Sequence, residues 1–342
     1  METLFINISD FKFVFLLTGL GFIVAMLWTP IFTDFLFKNR LGKQIRQLGY
    51  DEKTTAPIYY SLHKNKANTP TMGGLLIWTT VAVITLHLNL ERAATWLPLF
   101  VLVSTGIIGA DDDLMNIQGI GSSNGGLKFS YRLILYTVIA LVGAWWFYSK
   151  LGFSIFHIPG IGNVDLGIWY IPLFVAVLVW TAFSSNQTDG LDGLEGGVMA
   201  IAFGAFGFIA LFQGNVALAA FCGTIVGAIL SFLWFNIHPA RFFMGDTGSM
   251  ALGMTLAVIA FLTNSVFVLP IIAIILMVEG LSTVIQILSK KLRDGKKVFL
   301  SAPIHHHFEA LGWPETKVTE RFWVLSAVFS VIGLIIALIG KG

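Results

Sequence analysis

The chain has 342 residues, of which 56% are hydrophobic and only 12% charged, with 30 Phe, 10 Trp and a net charge of +2; its mean hydropathy is +0.81. A soluble protein of this composition would have to bury nearly all of itself, which a domain of this size does not do. The single cysteine, Cys222, excludes an intrachain disulfide framework, and no basic stretch interleaved with aromatics points to nucleic acid.

Apolar runs of about 20 residues, the length that crosses a hydrocarbon core of about 30 Å as helix, recur along the whole chain. Ten spans are predicted, over 11–36, 72–90, 97–110, 131–149, 168–185, 194–213, 216–235, 249–263, 267–289 and 321–340. They form one transmembrane domain, 1–342, of an all-α polytopic membrane protein. The first segment carries Glu2, Asp10 and Lys12 in place of a basic leader region, so it reads as a retained span. Connections 37–71, 111–130, 186–193, 236–248 and 290–320 fall on one side. They and their borders collect most of the 21 Lys and Arg, including Lys38, Arg40, Lys43, Arg46, Lys53, Lys290, Lys291 and Arg293. The positive-inside rule makes that side cytoplasmic and puts both termini outside. On the opposite side, Pro159-Gly160 between alternating apolar residues predicts a small hairpin within 150–167.

The unusual polar clusters all fall on the cytoplasmic side. Asp111, Asp112 and Asp113 close the predicted third span, where the helix dipole disfavours negative charge, and call for a compensating cation such as a hard divalent metal. Asn186 begins an acidic loop in which Asp189 and Asp192 would share a face if helical, with Gly190 and Gly193 allowing close approach of a ligand. Asp246 stands between Gly245 and Gly248. Lys66, followed by Thr69 and Thr71 at the start of the second span, makes a phosphate cradle. His305, His306 and His307 are adjacent, which suits phosphate binding or substrate orientation beside Mg²⁺ better than tetrahedral zinc. Glu279, inside a span, is expected to hydrogen-bond a neighbouring helix.

A transporter would carry its polar groups near mid-membrane depth. Polar groups crowded at one interface suit an enzyme that joins a soluble cytoplasmic substrate to a lipid. Several carboxylates, a lysine, histidines and glycine-rich turns describe Mg²⁺-assisted phosphoryl transfer, and the absence of a G-x-x-x-x-G-K-[ST] loop disfavours a nucleoside triphosphatase.

The motifs Asn68-Thr69-Pro70-Thr71-Met72-Gly73-Gly74, Asp112-Asp113, Thr188-Asp189-Gly190-Leu191-Asp192-Gly193, Phe235-Asn236, Phe243 to Ser249 and Pro303-Ile304-His305-His306-His307 occur in order. From about Lys66 to Trp323 the chain resembles the phospho-N-acetylmuramoyl-pentapeptide transferase family, within the polyprenyl-phosphate N-acetylhexosamine-1-phosphate transferase superfamily. The resemblance implies transfer of phospho-MurNAc-pentapeptide from UDP-MurNAc-pentapeptide to undecaprenyl phosphate, giving lipid I and UMP in peptidoglycan synthesis. It further implies Mg²⁺, a homodimer and a place in the bacterial cytoplasmic membrane.

By position, Gly109 sets the register that assigns the family's acidic pair to Asp112 and Asp113 and leaves Asp111 where an apolar residue is usual. Asp246, helped by Asp112, matches the metal-binding acid. Lys66 and Thr71 fall on phosphate-contacting positions, and His305, His306 and His307 on the histidine motif. Asn186, Asp189, Asp192 and Asn236 fall on substrate-binding positions, and Phe243 where an aromatic can stack on uracil. Two departures stand out: Phe183 replaces an amide of an Asn-x-x-Asn motif, and Arg132 replaces a lysine, with Lys128 one turn earlier. The nearest alternatives are the sister transfer of GlcNAc-1-phosphate from UDP-GlcNAc and, in a different class, a polyprenyl-lipid transporter. Direct attack and a covalent intermediate on one of the paired acids both remain open.

Overall fold

The computed structural model describes residues 7–42, 57–122 and 125–340; Lys43, Arg46 and Lys53 of the basic connection lie outside them. In chain order the elements are α1 (Ile8–Lys38), α2 (Pro57–His63), α3 (Gly74–Leu88), α4 (Trp96–Ile117), α5 (Phe129–Trp145), β1 (Ile155–Ile158), β2 (Gly162–Asp165), α6 (Tyr170–Thr188), α7 (Leu194–Phe212), α8 (Val216–Asn236), α9 (Asp246–Leu262), α10 (Leu269–Ile272), α11 (Ile274–Leu292), α12 (Ile304–Ala310) and α13 (Glu315–Ile339). The protein is helical and multi-pass. Its outer helix faces keep large apolar side chains such as Leu27, Ile31, Trp234 and Val324 exposed, as a bilayer requires.

Each predicted span contains a helix, but the spans are unequal. Six among the described residues are single helices long and apolar enough to cross a membrane: α1, α5, α6, α7, α8 and α13, those at α5 and α6 counted with their adjoining turns. The ninth is broken. Its two parts, from Val266 to Ile272 and from Ile274 to Leu292, meet at 82°, because Ala273 leaves helical geometry at φ −101° and ψ 36° after a single turn opened by Pro270. Helices α3 and α9 have only 15 and 17 residues. Helix α4 runs on to Ile117, so the three acids lie within its last two turns rather than at its end. Leu114, Met115 and Ile117 continue it, and the chain first turns at Gly119, φ 66°.

The core is built around α9, whose residues from Thr247 to Phe261 are all buried. Helices α4 and α6 pack along it, and α8 packs between α1 and α7. The predicted hairpin forms, with His157 opposite Asn163. His157 also ties the hairpin to the α9–α10 connection through Asn264 Oδ1 (3.2 Å) and to the end of α13 through the Gly340 carbonyl (3.0 Å).

Two close approaches bring together the helix ends that carry the polar clusters. A Cβ on Gly74 would lie 2.1 Å from Gly248 Cα, and one on Gly109 would lie 2.3 Å from the Asp246 carbonyl oxygen. Glycine at these points lets α3 and α4 cross the start of α9 backbone to backbone. Gly74→Ala is therefore expected to destabilise the fold by about 1–3 kcal/mol through overpacking against immovable backbone, seen as a lower unfolding temperature in detergent. Gly204→Ala on α7, where a Cβ meets nothing within 4 Å, should leave that temperature unchanged or slightly raised.

Candidate active site

The site starts from a backbone junction. The Phe243 N–H donates to the Pro70 carbonyl (2.8 Å), and the Gly73 and Gly74 N–H groups donate to Phe243 O (2.7 Å) and Met244 O (2.9 Å). The segments before α3 and α9 thus run side by side, and α4 crosses them with Gly109, Asp112 and Asp113 on one face, at spacings of three and four.

The first N–H groups of α9 need acceptors. The residue before the helix, Gly245, has no side chain to supply one. Asp113 does so from α4: it accepts from Asp246 N (3.2 Å), Thr247 N (3.0 Å) and Thr247 Oγ1 (2.7 Å). A carboxylate here also complements the positive end of the helix.

Asp112 turns to the other side. Arg132 of α5 places one nitrogen, Nη1, 2.8 Å from Asp112 Oδ2 and 2.5 Å from Asp246 Oδ2. The remaining oxygens are engaged as well: Asp112 Oδ1 accepts from Leu127 N (2.5 Å) and Asp246 Oδ1 from Asn186 Nδ2 (2.7 Å). Four helices therefore meet at two carboxylates, one guanidinium and one amide, all buried or partly buried. Two carboxylate oxygens converging on one cationic atom form a hard-oxygen donor set, which fits a divalent ion such as Mg²⁺ held by one or two carboxylates and substrate phosphates. Asp111 is exposed.

From this cluster a cavity of about 400 Å³ extends between α5, α6, α9 and α11, lined by Arg132 and Asn186 at one end and by Tyr136, Val179, Trp180 and Phe183 along its walls. Phe183, the residue standing where an amide is usual, packs between Phe129 (6.4 Å) and Trp180 (5.8 Å between ring centroids).

A second cluster forms around the acidic loop. Asp189 and Asp192 do not share a helix face, because Asp189 ends α6 at φ −75°, ψ 57° and Gly193 reverses the chain at φ 76°. Asp189 Oδ2 accepts from Gly245 N (3.0 Å). Asp192 receives Lys66 Nζ (2.7 Å) on one oxygen and Ala240 N and His238 Nδ1 (both 3.0 Å) on the other. Lys66 is also bonded to Glu315 and lies 5.9 Å from the centre of the Phe243 ring. Burial pushes the Asp192 carboxyl up, but the charge and hydrogen bond of Lys66 outweigh it and hold Asp192 below the usual carboxylate range. Burial likewise opposes the Lys66 charge, and Glu315 and Asp192 overcome it and hold the ammonium above its ordinary value. Asn236 joins two loops, accepting from Gly193 N (3.0 Å) and donating to Phe242 O (2.8 Å). The Thr71 hydroxyl is buried beside Gly245 and has no hydrogen-bond partner among the described residues.

The histidines are turned inward. His305 Nδ1 is 2.9 Å from Glu279 Oε2, so Glu279 does bond a neighbouring helix, α12. The other His305 nitrogen abuts the acidic loop, where a Cβ on Gly190 would lie 2.1 Å from it. His306 Nδ1 and His63 Nε2 both donate to Glu309 Oε2 (2.7 and 3.2 Å), and His307 Nδ1 accepts from Leu300 N (3.2 Å). Adjacent histidines thus diverge to different partners, and the motif supports the loops from behind. His63, Glu309, His238 and Glu315 were not singled out in the sequence. Only Glu309, three residues after His306, had a local spacing signal.

Residues 95–264 match the family model described as Glycosyl transferase family 4, and residues 66–77 match phospho-N-acetylmuramoyl-pentapeptide-transferase signature 1. Relatives named phospho-N-acetylmuramoyl-pentapeptide-transferase include one from Chloroflexus aggregans, 37% identical over 97% of this chain and 91% of the relative. One from Geobacillus sp. strain WCH70 is 40% identical over 93% and 95%, and one from Clostridium perfringens strain SM101 is 39% identical over 92% and 93%.

Two outcomes follow from the geometry. Asp113→Ala leaves the start of α9 without its acceptor and should cost about 1–3 kcal/mol, read as a lower unfolding temperature in detergent, with Asp113→Asn intermediate. Stability should also fall in acid. Burial pushes His305 and His306 down to about 3, whereas unfolded histidine titrates near about 6.5. Their contribution is complete above that pH and is lost progressively as the pH falls toward 3. Burial pushes the Glu309 carboxyl up, but hydrogen bonds from His306 and His63 outweigh it and hold it below the usual range, so its contribution is lost below about 4.3, in the same direction. Unfolding temperatures measured from pH 7.5 to 5 should decline, and His305→Gln should flatten the slope.

Proposed function

The chain belongs to the phospho-N-acetylmuramoyl-pentapeptide transferase family, and on that premise we propose how its two cation–carboxylate clusters divide the work of the reaction. The protein transfers phospho-MurNAc-pentapeptide from UDP-MurNAc-pentapeptide to undecaprenyl phosphate, giving lipid I and UMP for peptidoglycan synthesis. The observation that carries the mechanism is the position of the Asp112–Arg132–Asp246 cluster at the polar end of an apolar cavity. That cavity suits the isoprene units nearest the lipid phosphate, and Arg132 suits the phosphate itself, since a guanidinium fork matches phosphate oxygens.

The Lys66–Asp192 cluster takes the nucleotide end of the donor, with the Lys66 ammonium toward the diphosphate and Phe243 beside it. An oxygen of the lipid phosphate attacks the sugar-linked phosphorus. The new phosphorus–oxygen bond forms as the bond from that phosphorus to the bridging oxygen breaks, and UMP leaves with the bridging oxygen. Asp112 is the acid of the adjacent pair on the lipid side, beside Arg132 at the polar end of the cavity and placed to take a proton from the attacking phosphate, whereas Asp113 faces the backbone at the start of α9. Asp112 and Asp246 would hold Mg²⁺, which when bound neutralises charge on the diphosphate and its leaving group. On this reading the site faces the cytoplasm of a bacterial inner membrane, and the basic bias of the connections on that side supports the orientation.

Purified protein with Mg²⁺, undecaprenyl phosphate and UDP-MurNAc-pentapeptide should release UMP and form lipid I, and UDP-GlcNAc should not substitute. Asp246→Asn should reduce UMP release by at least about 100-fold; near-normal turnover in that variant would sink the assignment of Asp246.

A further inference from the structure

Helix α13 is attached to the acidic loop by one face. Glu315, Thr319 and Trp323, at successive intervals of four residues, reach three backbone groups of two adjacent residues, Asp192 and Gly193, in the α6–α7 turn. A Glu315 carboxylate oxygen, Oε1, accepts from Asp192 N (2.6 Å), Thr319 Oγ1 donates to Asp192 O (3.3 Å), and Trp323 Nε1 donates to Gly193 O (3.2 Å). The same Glu315 oxygen receives Lys66 Nζ. One atom thus fixes two groups that come from connections 126 residues apart in sequence. The side chains of Lys66 and Glu315 remain 18% and 12% exposed, so the cluster is open to a ligand, whereas that of Asp192 is 3% exposed.

We propose that Glu315 is a positioning residue for the UDP-linked donor, holding the Lys66 ammonium and the Asp192 loop in the arrangement that receives the nucleotide diphosphate. The inference rests on the reading of Lys66 and Asp192 as the donor end of the site. Glu315 carries the wrong charge to touch a diphosphate, so it acts through Lys66 and Asp192, with His238 3.6 Å from its other oxygen. Without it, Lys66 would keep Asp192 as its one carboxylate partner among the described residues, and the Asp192 N–H would lose its charged acceptor. Both groups would then have to be ordered when the donor binds, a cost that preorganisation otherwise removes. The lipid-side cluster of Asp112, Arg132 and Asp246 shares no hydrogen bond with Glu315 among those described, so the acceptor end and the bond-making step should be insensitive to it.

Glu315→Gln keeps the size and one acceptor oxygen while removing the charge. In full-length protein in detergent it should raise the KM for UDP-MurNAc-pentapeptide about tenfold, the scale of one charge-assisted hydrogen bond. UMP affinity measured by calorimetry should weaken by a similar factor. The KM for undecaprenyl phosphate and kcat should stay within about twofold. If Glu315→Gln does not fold, Thr319→Val together with Trp323→Phe, which detaches the same loop without changing charge, should raise the donor KM by about threefold with the same split. An unchanged donor KM and UMP affinity, or parallel losses in kcat and both KM values, would overturn the proposal. Wild-type protein that binds UMP but releases none with any donor would refute the transferase reading while the UMP comparison still tests Glu315; wild-type protein that neither binds UMP nor turns over would refute both.

Discussion

The start of α9 is the point on which the site depends. A buried helix cannot leave its first N–H groups without acceptors, and the close packing at Gly245 excludes a local one: a Cβ there would lie 2.3 Å from Asp113 Oδ2. The cap therefore comes from another span. Once Asp113 is bonded to the backbone of Asp246 and Thr247, two further positions follow. The Asp246 side chain is carried at the first residue of a fixed helix, and Asp112, the preceding residue of α4, is brought next to it. Two adjacent acids of the same type thus do different things, one ordering the scaffold and the other sharing Arg132 with Asp246.

Charge is paired in two parallel units, each with one carboxylate more than it has Lys or Arg. Arg132 bridges Asp112 and Asp246, and Lys66 bridges Asp192 and Glu315. Each unit sets one cation against two carboxylates in a part-buried place, where an uncompensated charge would be costly. The cations differ as their ligands do. Arginine at the end of an apolar cavity presents a planar fork, and lysine at the open loops presents a compact charge. The Phe183 and Arg132 departures belong together on this view. The aromatic side chain continues the cavity wall up to the guanidinium, and Asn186 supplies the amide that Asp246 uses.

Much of this was legible in the sequence. Hydrophobic run lengths predicted the helices, alternation around Pro159-Gly160 predicted the hairpin, and the register from Gly109 separated Asp111, which is exposed, from Asp112 and Asp113, which are buried. The errors have physical causes. Helix α4 outran its apolar stretch because its polar turn is still amphipathic, and the ninth span broke at Ala273, which carries no breaking signal of its own. Asp189 and Asp192 diverge because Gly190 and Gly193 permit a turn that local periodicity does not foresee. The histidines diverge to separate partners, Glu279, Glu309 and His63, which other elements or another turn supply and which a run of adjacent residues does not announce.

What the amino-acid sequence by itself determined is the class of the protein, the gathering of its polar clusters at one set of helix ends, and the residue types of the site, because hydropathy, charge asymmetry and glycine spacing act locally along the chain. The tertiary structure alone decided which acid caps α9 and which pairs with Arg132, which carboxylates share a cation, and that Glu315 and His238 join Asp192. Those are contacts between residues far apart in sequence, set by where backbones approach closely and by the requirement that buried charges and N–H groups find partners.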